Sequence, residues 1–238
     1  MPLFLITNDD GIDSPGLHRL AAAAAELGEV WVVAPAEQRS AASHSITLRA
    51  PVDVWPHDIP VPGIRSYACS GTPADCVRAG ALYLLPRKPD TVLSGINYGY
   101  NSATDLQYSA TAGAAFEGVF QGCRAIALSE HAGPCHEVTD AFLLPVLAEL
   151  SELMPGPGQI FNVNFPGCPL SRCRGILRDR TVSAGTFYRD HYVLREALPG
   201  GRLRLEVEGV YNEDAEPGTD FRAIVENYVS IGVVNNLN

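Results

Sequence analysis

Within its first 35 residues the chain lays down an apolar strand, a helix and a second apolar strand, and that order leaves few folds open. Residues 2–7 are a short, continuous apolar run ending at Thr7 and Asn8, the pattern of a strand buried on both faces. Ser14 then Pro15 reads as an N-cap followed by a first-turn proline. The alanine-rich segment after them favours helix as far as Gly28, which stops it, and "EVWVVAP" is the next buried strand. Parallel strands joined by a helix cross over right-handedly, and a sheet built that way is covered on both faces.

The unit recurs. "TPADCVRAGALYLL" opens on Thr72 as cap and Pro73 at the first helical position, and "DTVLSG" is a strand ending in glycine. "SATAGAAFEGVFQG" is a helix rich in small residues, "RAIALS" a strand, "EVTDAFLLPVLAELSELM" a helix with Pro145 inside it, and "QIFNVNFP" a further strand. Residues 1–166 are therefore expected to form a doubly wound α/β domain with a mostly parallel, Rossmann-like sheet. Beyond them the pattern turns to polar–apolar alternation, with "PGG" as a turn between two strands. Residues 167–238 are expected to form a β-hairpin arm and tail, with hairpins from about Arg174 to Tyr211 that bury their apolar residues against another subunit.

Composition narrows the partners. A formal net charge of −10 argues against a nucleic-acid duplex or an anionic membrane surface. It does not bar a small anionic substrate, because a bound cation inverts the local sign. No apolar run approaches the ~20 residues that span a bilayer. With a strand starting at once and no basic leader, the chain is expected to be cytoplasmic, its six cysteines reduced. "HAGPCHE", residues 131–137, reads either as a metal cluster or as a plain Gly-Pro loop.

In an open parallel sheet, ligands bind beyond the carboxyl ends of the strands. The first such exit holds Asn8, Asp9 and Asp10. Two carboxylates ~4 Å apart repel by roughly 4 kcal/mol at an effective dielectric near 20, so solvent or a cation must offset them. Both are hard oxygen ligands, suited to Mg²⁺ or Mn²⁺ rather than zinc. The alternative is that Asp9 caps the helix start and Asp10-Gly11 makes an Asx turn. Asn97, Asn101 and Asp105 in another exit loop favour the metal. Ser109 and Thr111 stand at a helix N-terminus, which presents free N–H groups to a phosphate or is simply capped. The loop "QRSAASHS" brings Arg39, Ser40, Ser43 and His44, the last a proton donor or a structural histidine. Walker A, GxGxxG, GxSxG and HExxH motifs are absent from the sequence.

"TNDDGIDSPGL", "APAEQRSAASHSIT", "SGTPADCV", "LSGINYGYN" and "YSATAGAAFEG", in this order, resemble the SurE family of stationary-phase survival proteins, which are metal-dependent 5′/3′-nucleotidases. The resemblance implies a metal-dependent phosphomonoesterase that takes nucleoside 5′- and 3′-monophosphates to nucleoside and phosphate. It implies one divalent ion per subunit, Mg²⁺ or Mn²⁺, held by Asp9, Asp10, Ser40 and Asn97, with Asp9 and Asp10 catalytic. It also implies phosphate and substrate contacts at Asn8, Asn101, Ser109 and Thr111, and a homodimer or homotetramer. Two places depart from the family pattern: Ala110 stands where Ser-Gly-Thr is usual, and the tail reads "YVSIGVVNNLN". A non-catalytic metal- and nucleotide-binding module would keep the same pocket, whereas a glycosyltransferase would normally carry DxD rather than adjacent acids.

Overall fold

The computed structural model describes residues 1–235. In chain order the elements are β1 (Leu3–Thr7), α1 (Pro15–Ala25), β2 (Glu29–Pro35), β3 (Val54–Pro56), β4 (Arg65–Cys69), α2 (Pro73–Ala79), β5 (Thr91–Tyr98) and α3 (Ala110–Phe120). Then follow β6 (Arg124–Glu130), α4 (Glu137–Glu152), β7 (Gln159–Phe165), β8 (Ile176–Leu177), β9 (Tyr188–Leu198), β10 (Arg202–Tyr211), α5 (Asp220–Val225) and β11 (Val229–Asn235). The main sheet has nine strands in the order β3-β4-β2-β1-β5-β6-β7-β11-β8, and β4 through β7 in that order run parallel. The doubly wound, mostly parallel sheet read from the sequence is thus present, with a separate antiparallel β9–β10 hairpin.

The local signals act as read. Ser14 Oγ accepts from the Leu17 N–H, and Pro15 sits in the first turn of α1. Thr72 and Asp75 form a reciprocal capping box ahead of α2, which removes two unpaired donors at once. Period-two alternation in β1 then divides the core. Phe4 and Ile6 pack with Leu17 and Leu20 of α1 and Val146 and Leu147 of α4. Leu3 and Leu5 pack with Val77 of α2 and with Ala112, Ala115 and Phe116 of α3 on the other face.

β1 pairs with β2 on one side and β5 on the other, so the winding reverses between β1 and β5. The crevice for a ligand lies beyond Thr7 at that switch point. β5 runs past the expected glycine to Tyr98, and its register with β6 shifts between Ser94 and Asn97. That irregularity lets α1 come close: a Cβ on Gly16 would lie 2.2 Å from the Ile96 carbonyl oxygen.

The structure differs from the expectation in three places. β4 joins β2 in parallel without a crossover helix, through a long connection that contains β3. The chain is not divided at residue 166, because β8 and β11 extend the main sheet, β11 lying antiparallel to β7. The hairpin starts at Tyr188 rather than near Arg174. Its base has a small cluster of its own, Ala103, Phe187, Ala215, Phe221 and Ile224. The last three residues of the divergent tail, 236–238, lie outside the described residues.

Gly16→Ala should lower the free energy of unfolding by about 1–3 kcal/mol, the usual cost of forced overpacking. Urea denaturation reads this directly, and a wild-type midpoint would show that α1 does not need its close seat on β5.

Candidate active site

Asn8 turns back into its own loop. Its Nδ2 donates to the Gly11 carbonyl at 2.9 Å and to Ser14 Oγ at 2.7 Å, bracing a turn that Gly11 closes at φ +99°. Its buried Oδ1 takes no hydrogen bond from the described residues. With the turn so fixed, Asp9 points inward and is 4% exposed. Thr111 Oγ1 donates to Asp9 Oδ1 at 2.5 Å. Burial pushes the Asp9 carboxyl up to about 6; the Thr111 bond opposes that rise and the Asp10 charge adds to it. Asp10 is also pushed up by burial, held back by the Tyr98 N–H on its Oδ2 at 2.9 Å, and raised further by the charge of Glu130. Among the described residues no lysine or arginine contacts either carboxylate.

The end of β5 supplies Asn97, whose Nδ2 donates to the Gly99 carbonyl at 2.8 Å and leaves its Oδ1 available. Ser40 is exposed and comes in through Gln38, whose Nε2 donates to Ser40 Oγ at 2.9 Å and lies 3.5 Å from Asp10 Oδ1. Its loop is pinned at several points. The Arg39 N–H donates to the Asp9 carbonyl at 2.7 Å and the Ser43 N–H to the Tyr108 carbonyl at 3.1 Å. Gly113 of α3 lets the loop lie flat, since a Cβ there would meet Ser43 O at 2.5 Å. His44 anchors the same loop through Glu117, 2.9 Å away, and its ring packs on Phe120.

Ser109 caps α3, its Oγ accepting from the Ala112 N–H at 3.0 Å. Ala110 occupies the first helical position with an ordinary φ, so the methyl that replaces the usual glycine is free of strain. Asn101 is used elsewhere. Its Nδ2 donates to Ser129 Oγ at 2.8 Å, its N–H donates to Asn164 Oδ1, and its carbonyl accepts from Asn162 and Asn164. Hydrogen bonds and chain neighbours therefore bring Asp9, Asp10, Ser40, Asn97 and Thr111 to one edge. Asn101 is tied to β6 and β7, and Asn8 to its own turn. Asp105 lies on a different wall, beside Tyr100 and His131.

Sequence reasoning did not anticipate that Thr111 would hold Asp9, or that buried Glu130 would pair with Arg19 at 2.7 Å. Both contacts join residues about a hundred positions apart, and only the order of strands puts them together. Among the described residues no three His, Cys, Asp or Glu side chains gather around a common point. Residues 131–136 form the loop between β6 and α4, and the aspartate site offers two carboxylates with neutral oxygens beside them. All six cysteines are free.

Residues 4–186 match the family model described as survival protein SurE. The chain is 36% identical to a protein of Thermosipho melanesiensis named 5′-nucleotidase SurE, over 95% of this chain and 89% of that one. A protein of the same name from Cereibacter sphaeroides is 42% identical, over 95% and 91%. Among solved structures, the SurE protein from Aquifex aeolicus superimposes with a TM-score of 0.83 at 32% identity, covering 100% of this chain and 95% of that one.

An aspartate titrates near 3.9 in an unfolded chain, so folded Asp9 binds its proton more tightly than the unfolded residue does. Its contribution is most favourable below about pH 4 and is lost as pH rises through 6, a difference of about 3 kcal/mol. In chelator, Asp9→Asn should accordingly gain stability over wild type by about that amount between pH 4 and pH 7. Guanidinium denaturation across this range tests it; a constant difference between the two proteins would refute a raised Asp9 carboxyl.

Proposed function

The chain belongs to the SurE survival-protein family, and from that premise we propose that it is a metal-dependent phosphomonoesterase hydrolysing nucleoside 5′- and 3′-monophosphates to nucleoside and phosphate. The nucleotidase activity follows the names of its relatives, and metal dependence and 3′ activity extend that reading. The observation that carries the extension is the pair Asp9 and Asp10, both raised by burial and neither met by a basic side chain among the described residues.

The donors fit a hard divalent ion, Mg²⁺ or Mn²⁺, one per subunit. Asp9 and Asp10 would hold it with Ser40 Oγ and Asn97 Oδ1. A set with only two carboxylates suits an ion that keeps several waters and completes its shell with phosphate oxygen. When bound, such an ion lowers the pKa of a water and offsets charge on the phosphoryl oxygens.

The protein's own groups do the positioning. Thr111 holds one oxygen of Asp9 and thereby aims the other, while the Tyr98 N–H does the same for Asp10. Free N–H groups in the first turn of α3, beyond Ser109, face the developing charge on phosphate. Ser109 and Thr111 thus serve the substrate largely through the helix end they shape. Asn8 and Asn101 act at one remove, fixing the turn before α1 and the loop after β5. The six free thiols suit a reducing compartment, the cytoplasm. Among the described residues no helix is long and apolar enough to cross a membrane.

Phosphate release from AMP and from 3′-AMP, with Mg²⁺ or Mn²⁺ and with EDTA, is the test. Chelator should abolish turnover, and Asp9→Asn should lower it by at least about a hundredfold, ~2.7 kcal/mol of barrier, with the fold retained. Full turnover in EDTA would overturn the metal reading. Nucleotide binding without any phosphate release would favour the non-catalytic module.

The hairpin points to the partner. Leu203, Leu205 and Val207 alternate with charged neighbours on β10 and stand opposite Ala197, Leu194 and Tyr192 of β9, so one face is apolar and exposed. The other face carries Arg195 with Glu206 and Glu208, and Arg204 with Glu196. A two-stranded ribbon is marginal alone in water, and a second copy of this chain is the cover that we propose. Light scattering at micromolar concentration should give a dimer or tetramer; a monomer would rule this out.

A further inference from the structure

A cavity of about 620 Å³ has Gly99 in its wall, one residue beyond the Tyr98 N–H that bonds to Asp10. Gly99 links the two places: its carbonyl accepts from Asn97 Nδ2, and its N–H donates to the Glu130 carbonyl at 2.9 Å. Five aromatic rings line the cavity, together with Asp105 and Glu213. Tyr100 and His131 come from the carboxyl edge of the sheet, and Phe187, Tyr188 and Tyr211 from the base of the hairpin.

These rings pack against one another. Tyr100 and Phe187 lie 5.6 Å apart between centroids at 21°, Phe187 and Tyr211 6.5 Å apart at 20°, and Tyr100 and His131 5.5 Å apart. They are also held in place. Phe187 is buried against Phe221 at 4.0 Å. The Tyr100 hydroxyl accepts from the Gly167 N–H at 3.0 Å. The His131 ring occupies space that a side chain at Gly133 or Gly167 would fill, with Cβ positions 2.7 and 2.3 Å away. Beside this wall stands Asp105, half-buried, its carboxylate reached by no donor among the described residues.

An aromatic wall with carboxylate acceptors beside it, Asp105 and Glu213, is suited to a flat ring that bears N–H donors. Base–aromatic stacking accepts any base, so the wall by itself gives affinity without choice. A carboxylate supplies the choice, because it only accepts hydrogen bonds and has two oxygens side by side. Guanine presents two adjacent donors, N1–H and the 2-amino group, and matches that pair. Adenine offers one amino group next to the N1 lone pair, which a carboxylate repels.

We propose that this cavity is the nucleoside subsite, in which the base lies against the Tyr100, Tyr188 and Tyr211 rings and Asp105 selects guanine. The proposal rests on the nucleotidase reading for its substrate class, but nucleoside binding tests it without any turnover. The volume falls within the range of cavities that enclose small ligands, ~300–1,000 Å³.

Titration calorimetry with guanosine and with adenosine, on the full chain, decides the matter. Wild type should bind guanosine about tenfold more tightly than adenosine. Asp105→Asn should bring the two within about threefold of each other, and Tyr188→Ala should weaken both together. Equal affinities in wild type, retention of the guanosine preference in Asp105→Asn, or binding of neither nucleoside would each overturn the subsite. Release of phosphate from nucleoside monophosphates, measured separately, stands or falls with the nucleotidase reading alone.

Discussion

One short hydrogen bond, from Thr111 to Asp9, ties the exit of the central strand to the helix that follows β5. Asp9 leaves the central strand, and Thr111 belongs to the first turn of the helix after β5. A buried carboxylate is costly to keep charged, and the neutral hydroxyl lowers that cost without neutralising it. The unmet part of the charge is what makes the edge useful. If an arginine satisfied Asp9 completely, the fold would be more comfortable and the site would have nothing left to offer a ligand.

Around that bond, small residues set the spacing. Gly16 lets α1 approach β5, Gly113 lets the Ser40 loop lie on α3, and Gly133 and Gly167 leave room for the His131 ring. Each brings main chain or ring to a distance that a methyl group would forbid. The same economy appears at Ala110, where a methyl is tolerated because the backbone is already helical.

Much of this was legible in the sequence, and the reason is local. Caps such as Ser14 and Thr72, and continuous apolar runs such as 2–7, act through neighbours in the chain, so the alternating strands and helices could be read directly. The strand-exit rule then located Asp9, Asp10 and Asn97 at one edge. What could not be read depended on distant pairing. β4 carries Arg65, Ser66 and Tyr67 and lacks a clean apolar run, because it lies near the edge of the sheet. Thr111 read as a phosphate ligand from its place at a helix end, while its hydroxyl bonds to a side chain 102 residues earlier. Asn101 likewise read as a phosphate or substrate contact, yet β7 claims its backbone through Asn162 and Asn164.

The place of β11 has a consequence for how the chain is made. Among the described residues β8 has no partner in the sheet except β11, and β7 has β11 as its outer neighbour. During synthesis from the N-terminus, β7 therefore stays an open edge while the whole hairpin emerges, and β8 waits with nothing to pair to. The edge closes only when residues 229–235 arrive, after the hairpin. An open parallel edge is a template for pairing with another chain. A nascent chain that stalls or is truncated before Val229 thus exposes β7, so in this fold residues 229–235 decide between a closed sheet and an aggregation-prone edge.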